Sequence, residues 1–420
     1  MRPRSRRSVL AAAGATLLGG CLGGGPATET ADPTATAGST RTPTATEATA
    51  EPFDGPPPLG RDAVPEGAAA PPAFADEHTF DGSFSNATDV APRGDGASVL
   101  LTGQWGGGTT TATLVDVTAD GRPGERIAVE DLPTSEILFH RHLGDRTVVG
   151  GYRRDDDTFR TWLRGIETGA RVFETDLGER TVVSDVAVVD STLVAAGVKQ
   201  PPDDSNGNGA AVLLWVDADG TVARRVTFDT PDANERFWAV TPTTNGYLAG
   251  GSRSDDVWVV AVDHEGTRRW ERRVRRGTES YIVEGLAVGD TGTYAVARTE
   301  QYATGDNHVL LLALDPGREG AVEWTRVFDP NADETRPGEL FPAAIVDDGG
   351  PRLAGHTRGR IWLGATDPDG AVRWAGYHRF RADEHLQALA SVVDGRLICH
   401  GRSGSYDSDS STPTPWVGWQ

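Results

Sequence analysis

Cysteine, lysine and long apolar runs are all scarce in this chain. Two cysteines in 420 residues rule out a disulfide framework. Lys199 is the sole lysine, so nearly every cation is arginine. Forty basic residues face 61 acidic ones, for a formal charge of -21. That balance excludes a nucleic-acid binder, which needs a basic surface to release phosphate counterions. Hydrophobic residues make up only 37%, too few for a helical membrane protein. G-x-S-x-G, H-E-x-x-H, a phosphate-cradling glycine loop and a vicinal cysteine pair are missing from the sequence. What remains is a glycine-rich, polar-surfaced chain with 52 Gly and 26 Pro. Its length suits two or three domains, or one large β domain.

Residues 1–21 read as an address. Arg2, Arg4, Arg6 and Arg7 precede an apolar run from Val9 to Leu18 that is too short for an ordinary spanning helix. Ser5-Arg6-Arg7-Ser8-Val9-Leu10 resembles a twin-arginine signal, which exports folded proteins. Leu18-Gly19-Gly20-Cys21 resembles a lipobox, in which the Cys21 sulfur receives a diacylglycerol and becomes the mature N-terminus. An uncleaved anchor helix is the alternative. Loss of the signal removes four arginines and takes the charge to -25. So acidic and lysine-poor a surface resembles those of haloarchaeal, salt-loving proteins; an ordinary acidic protein from a GC-rich genome is the other reading.

Residues 22–72 are mostly Ala, Thr, Pro, Gly and Glu. Such a stretch cannot offset its ordering entropy by burial and reads as a disordered tether, with 28–36 open to O-linked sugars. About 50 flexible residues span roughly 35–42 Å.

Residues 73–420 are a repeat. Turn glycines recur at 121, 169, 220, 266, 320 and 370, each after an apolar, β-branched run. Asx-Gly between alternating runs marks a hairpin whose two turn residues take positive φ. Strands such as 257–263 precede the turns and strands such as 268–274 follow them, with two further strands earlier in each unit. Four short strands per unit of this length make one propeller blade. Units near 86–132, 133–177, 178–229, 230–276, 277–328, 329–378 and 379–420 predict an all-β, seven-bladed ring, with six or eight blades as alternatives. The last unit lacks a fourth strand, and 74–80, with Phe74 in the place of Trp270, Trp324 and Trp374, is expected to supply it beside 415–420.

The pattern of apolar strand, Asp-x-x-Gly, spacer and Trp, clearest at Asp263–Gly266 with Trp270 and at Asp367–Gly370 with Trp374, resembles the pyrroloquinoline-quinone-like and WD-like β-propeller repeats. The resemblance covers about 74–420 and implies a propeller, a fold that hosts enzymes, receptors and scaffolds alike. It implies that these aspartates and tryptophans form turns and pack blade against blade. Many quinone-dependent propeller dehydrogenases carry the vicinal cysteine pair missing here, and their eight blades exceed this chain.

Long polar connections at 104–110, 152–158, 198–210, 299–307 and 402–414 would gather at one end of the ring. Trp105, Tyr152, Arg153, Arg154, Tyr302 and Tyr406 are its candidate contacts. Asp204-Ser-Asn206-Gly-Asn208-Gly209 matches half of a calcium loop, but position twelve is Trp215 rather than Glu; a polar loop is the competing reading. No other cofactor is expected. His140 and His142 share one strand face and would hold a transition metal only with a third ligand from another blade. Arg269, Arg273 and Arg275 line one face of an arginine-rich strand, facing an anionic partner or balanced by neighbouring acids. Cys399 reads as a buried, inert thiol. Asn86-Ala87-Thr88 is a sequon expected on the surface. Together these features suggest a lipid-anchored, extracytoplasmic propeller on the outer membrane face, non-catalytic, binding a protein or carbohydrate. An extracytoplasmic enzyme, quinone-dependent or hydrolytic, is the alternative.

Overall fold

In the computed structural model the described residues are 40–41, 51–52, 59–60, 70, 76–80, 84 and 86–419, apart from 104–110, 119–120, 130–135, 156–157, 202–207, 276–279, 300–307, 330–342, 348–349, 358–359, 379–386, 394–395 and 404–413. Four short strands come first: β1 (Thr40–Arg41), β2 (Glu51–Pro52), β3 (Leu59–Gly60) and β4 (Asp76–Thr79). Blade one holds β5 (Asn86–Arg93), β6 (Gly96–Gly103), β7 (Thr111–Val117) and β8 (Pro123–Val129). Blade two holds β9 (Glu136–Leu143), β10 (Arg146–Asp155), β11 (Thr158–Glu167) and β12 (Ala170–Glu179). Blade three holds β13 (Thr181–Val189), β14 (Thr192–Lys199), β15 (Ala210–Asp217) and β16 (Val222–Phe228). Blade four holds β17 (Glu235–Thr243), β18 (Gly246–Arg253), β19 (Asp256–Val262) and β20 (Arg268–Arg275). Blade five holds β21 (Tyr281–Gly289), β22 (Gly292–Thr299), β23 (Val309–Asp315) and β24 (Ala321–Asp329). Blade six holds β25 (Ala343–Asp347), β26 (Gly350–Thr357), β27 (Arg360–Thr366) and β28 (Val372–His378). Blade seven holds β29 (Gln387–Val393), β30 (Arg396–Ser403) and β31 (Thr414–Trp419).

Each blade is an antiparallel meander, and these strands form seven sheets. The first strands touch in sequence, β5 to β9 to β13 to β17 to β21 to β25 to β29 and back to β5. That is a propeller. Blade seven takes its outer strand from the amino-terminal side: β4 pairs antiparallel with β31, His78 opposite Val417 and Thr79 opposite Trp416. Phe80 N–H extends the ladder to the Pro415 carbonyl at 2.9 Å. Phe74 lies outside the described residues; Phe80 is the aromatic buried at this junction, with Val90, Val99, Ile398 and Val417.

The core sits between blades. Val194, Trp215 and Phe228 of blade three pack on Phe237, Tyr247 and Trp258 of blade four. Phe237 stacks on Trp258 at 4.8 Å, and Phe228 meets both rings edge-on. Buried aliphatics with Tyr281 fill the corresponding space between blades four and five, and aliphatics with Tyr294, Phe328 and Trp362 that between five and six.

The turns that mark the repeat follow from hydrogen bonding. In Asp263–Gly266 the glycine N–H donates to the Asp263 carbonyl (2.9 Å), and Asp263 Oδ1 accepts the Thr267 N–H (2.7 Å). Asp367–Gly370 repeats this, with Asp367 Oδ1 accepting from Ala371 N–H (2.7 Å). The expectation of two positive-φ residues holds at Thr168–Gly169 and Glu319–Gly320; at Gly220, Gly266 and Gly370 the glycine alone is left-handed, because the aspartate caps a longer turn. The turn glycines at 169, 220, 266, 320 and 370 also lie against the preceding blade. A Cβ on Gly320 would sit 2.4 Å from the Trp270 ring, and one on Gly370 would sit 2.8 Å from Trp324. The aspartates and tryptophans therefore act in turns and blade packing.

Two expectations need correction. The stretch 152–158 is not a long loop, since β10 and β11 run on to a hairpin that pairs Tyr152 with Thr161 and Asp155 with Thr158. Polar residues at strand ends simulate a loop in sequence. The tether is not wholly unpaired either: β1, β2 and β3 add parallel to β16, β20 and β24. Backbone pairing to an edge strand needs no apolar side chain, so composition does not announce it.

Candidate functional site

The strongest concentration of polar chemistry lies where blades one and two meet. Strand β5 carries a bulge at Thr88, skipped in its register with β6. Bulges at the same place skip Leu138, Ser184, Trp238 and Glu284 in blades two to five. A bulge re-aims the following side chain, and in two blades that residue is an aspartate. Asp89 Oδ2 accepts the His140 backbone N–H of blade two at 2.7 Å. Asp185 Oδ2 accepts the Val240 N–H of blade four at 2.8 Å. Arg141 links the two sites, with Nη1 2.8 Å from Asp89 Oδ2 and Nη2 3.5 Å from Asp185 Oδ1. Its Nε donates to the Val186 carbonyl.

Against this girdle sits a shared hydroxyl. Ser98 Oγ lies 2.6 Å from Nε2 of His140 and 2.6 Å from Nε2 of His142. His140 Nδ1 is 3.0 Å from Asp89 Oδ2, out of line for a good hydrogen bond. His142 Nδ1 is 3.0 Å from Thr147 Oγ1. One consistent proton arrangement runs from the Thr147 hydroxyl to His142, from His142 Nε2–H to Ser98, and from the Ser98 hydroxyl to His140 Nε2. Burial is the largest influence on His142 and, with His140, Arg93 and Arg141 nearby, takes its pKa down to about 3, so it is neutral at ordinary pH. Burial pushes Asp89 the other way, but the Arg141 guanidinium and the His140 ring and backbone N–H beside it outweigh burial and hold the carboxyl well below its usual range.

Serine, histidine and aspartate in this order have the connectivity of an acyl-transfer triad. Access decides against it. Ser98 and His140 are both 0% exposed, so no substrate carbonyl reaches the hydroxyl in this conformation. The cluster instead stitches neighbouring inner strands together. The third group meeting the two imidazoles from the adjacent blade is thus a hydroxyl. Among the described residues no three His, Cys, Asp or Glu side chains converge as a metal site. The signal for this cluster in sequence is faint: an aspartate about one repeat before the backbone N–H that it accepts, 51 residues for Asp89 and His140 and 55 for Asp185 and Val240.

The described residues singled out from sequence lie in separate blades, Tyr152 to Arg154 in blade two and Arg269 to Arg275 in blade four. Cys21, Trp105, Tyr302, Tyr406, Asp204 and Asn206 lie outside the described residues; Asn208 is exposed. Tyr152 is buried in β10, Arg153 sits 3.4 Å from Asp176, and Arg154 stands opposite Phe159. The arginine-rich β20 is balanced by acids. Arg273 and Arg275 both bind the fully buried Asp256 (2.6 and 2.5 Å), while Arg268 binds Glu271 (2.7 Å). Arg269 is exposed. The sequon is not a surface approach: Asn86 opens inner strand β5, and Thr88 is buried against Thr102 at 2.6 Å. Burial also pushes the Cys399 thiol far up, which leaves it inert.

No protein-family model and no curated protein matches the chain. Solved structures do. Polysaccharide lyase Uly1 is 9% identical, covering 82% of this chain and 99% of its own, at a TM-score of 0.50. The β-propeller domain of the Trilobed protease from Pyrococcus furiosus is 11% identical over 80% of this chain and 95% of its own, at 0.42. Pyrococcus horikoshii acylaminoacyl peptidase is 12% identical over 80% of this chain, at 0.45, and the chain spans 51% of that protein's length. At such identities the likeness is one of fold: the chain is an all-β propeller.

Proposed function

We propose that the chain is a seven-bladed, lipid-anchored extracytoplasmic propeller that serves as a non-catalytic scaffold for a protein or carbohydrate partner. The observation that carries the non-catalytic part is the sealing of Ser98 and His140 within the blade junction, which commits the best-formed polar constellation to cohesion. The anchoring part rests on Arg6-Arg7 and on Cys21 at the end of a short apolar run. The binding end is the one formed by the second-to-third strand connections, with Trp105, Tyr302 and Tyr406 as its aromatic contacts. Calcium at Asp204, Asn206 and Asn208 is an accessory possibility of the same end, testable by calcium titration of thermal stability.

Crosslinking on intact cells followed by recovery of the chain tests the reading. A partner captured by the native chain and lost when Trp105, Tyr302 and Tyr406 are changed to Ala supports it. Membrane partition unchanged by Cys21→Ser refutes the anchor. The triad-like order of Ser98, His140 and Asp89 favours a hydrolytic second reading; covalent labelling by a serine-directed fluorophosphonate, absent in Ser98→Ala, would establish it instead.

A further inference from the structure

The outer strand of a blade has one edge with no partner in its own sheet, a row of free N–H and C=O groups ready to take another strand. On three consecutive blades that edge is filled by the segment read from sequence as a tether. Thr40 and Arg41 pair with Val226 and Thr227, Glu51 and Pro52 with Val274 and Arg275, Leu59 and Gly60 with Phe328 and Asp329. All three pairings are parallel, and they fall on blades three, four and five in chain order. The chain then reaches β4 on the rim of blade seven. Successive contacts at 40, 51 and 59 leave nine and six residues between them, enough for about 20–30 Å of extended chain per step. Regular spacing, one direction and one kind of edge describe a belt.

We propose that Thr40–Arg41, Glu51–Pro52 and Leu59–Gly60 form a rim belt that docks the stalk onto blades three to five and sets how the ring stands at the membrane. The orientation part rests on the lipid anchor at Cys21 proposed above; the belt itself does not. With the belt docked, only residues 22–39 remain as free stalk, an r.m.s. reach of about 21–25 Å rather than the roughly 35–42 Å of the whole tether. Because the stalk leaves the ring at β16, the rim of blade three is the part held nearest the lipid. Both ends of the ring, where the loops lie, then face sideways into solvent.

Two measurements on the full chain separate the parts. In the unlipidated Cys21→Ser chain, backbone hydrogen exchange at Thr40, Arg41, Glu51, Leu59 and Gly60 is expected at least tenfold slower than in the same chain unfolded in urea, corrected for intrinsic rates. Exchange equal to the unfolded chain overturns the belt. For orientation, Ala223→Cys in β16 and Ala371→Cys beside β28, both at exposed positions, carry a fluorophore in the lipidated chain bound to phosphatidylcholine and phosphatidylglycerol vesicles with a headgroup quencher. Quenching is expected several-fold stronger at 223 than at 371, and equal once 40–60 are replaced by Gly/Ser of the same length. Equal quenching in the unreplaced chain overturns the orientation. A chain that does not bind the vesicles refutes the lipid anchor, and with it the orientation, while the exchange result still decides the belt.

Discussion

At Gly320 two demands fall on one residue. Its φ of 73° is in the left-handed region, and an added Cβ would lie 2.4 Å from the Trp270 ring. Gly144 has a similar φ, 57°, but nothing within 4 Å of its Cβ position. Gly144→Ala is therefore expected to lose only the left-handed strain, about 1 kcal/mol. Gly320→Ala should lose about 1–3 kcal/mol more, since the indole is wedged between blades and cannot withdraw. Urea midpoints of the two variants decide it; equal losses would show that Trp270 does not lean on this turn. His142 makes a second prediction at this scale. Its folded pKa of about 3 lies below the ordinary value near 6.5, so between those pH values the unfolded chain binds a proton that the fold excludes. Stability is fully present above about pH 6.5 and falls on acidification towards 3, by up to about 1.4 kcal/mol per pH unit. His140, Arg93, Arg141 and Asp89 surround the ring, and Asp89, whose pKa is also lowered, adds acid lability only below its own ordinary range near 3.8. His142→Asn should flatten denaturation profiles between pH 6.5 and 4. An unchanged slope would mean that His142 titrates normally.

Among the elements, the closing strand pair of β4 and β31 carries the most weight, because it hydrogen-bonds the two distant chain regions into one blade. Phe80 N–H donates to Pro415 O, and antiparallel alternation places the next such amide at His78, opposite Val417. His78→Pro removes that donor, and the expected result is a fall in thermal midpoint of several degrees with increased proteolysis near 76–84. A midpoint unchanged within a degree would mean that closure rests on Phe80 packing alone. This closure was legible in the sequence because blade seven is one strand short and a β-rich segment stands unused before blade one. The Asp-x-x-Gly turns were legible for a related reason: local hydrogen bonds demand Asp and Gly at fixed offsets. The Asp89, Ser98 and His140 cluster was not, since its members sit on three strands and meet only after two blades pack. Tyr152 to Arg154 misled because a long hairpin with polar tips reads like a loop. The edge pairings at 40–41, 51–52 and 59–60 were invisible, for their bonds are backbone bonds and Thr-Arg, Glu-Pro and Leu-Gly carry no strand pattern.

For the molecule as a whole, charge is the term that its contacts do not settle. The formal charge is -21, with one lysine, and many arginines are already spent inside the fold. Arg253 is held between Glu235 (3.0 Å) and Glu271 (3.5 Å), and Arg298 is buried on Glu284 at 2.9 Å. Such buried pairs are shielded from salt, so adding salt scarcely weakens them. The uncompensated acids stand on the surface, where raising salt from about 0.1 M to 1 M shortens the screening length from roughly 10 Å to roughly 3 Å. Repulsion then drops while the internal pairs stay. The thermal midpoint should climb with NaCl from 0.1 to 2 M, and KCl should act alike, because screening does not depend on the cation. An ordinary acidic domain would level off by a few tenths molar; a midpoint that levels there, or falls with salt, would remove the basis for reading this surface as adapted to brine. Replacing exposed Glu125 and Glu323 with Gln should raise the midpoint at 0.1 M and leave it nearly unchanged at 2 M, which separates screening of these charges from a general salting-out of apolar surface.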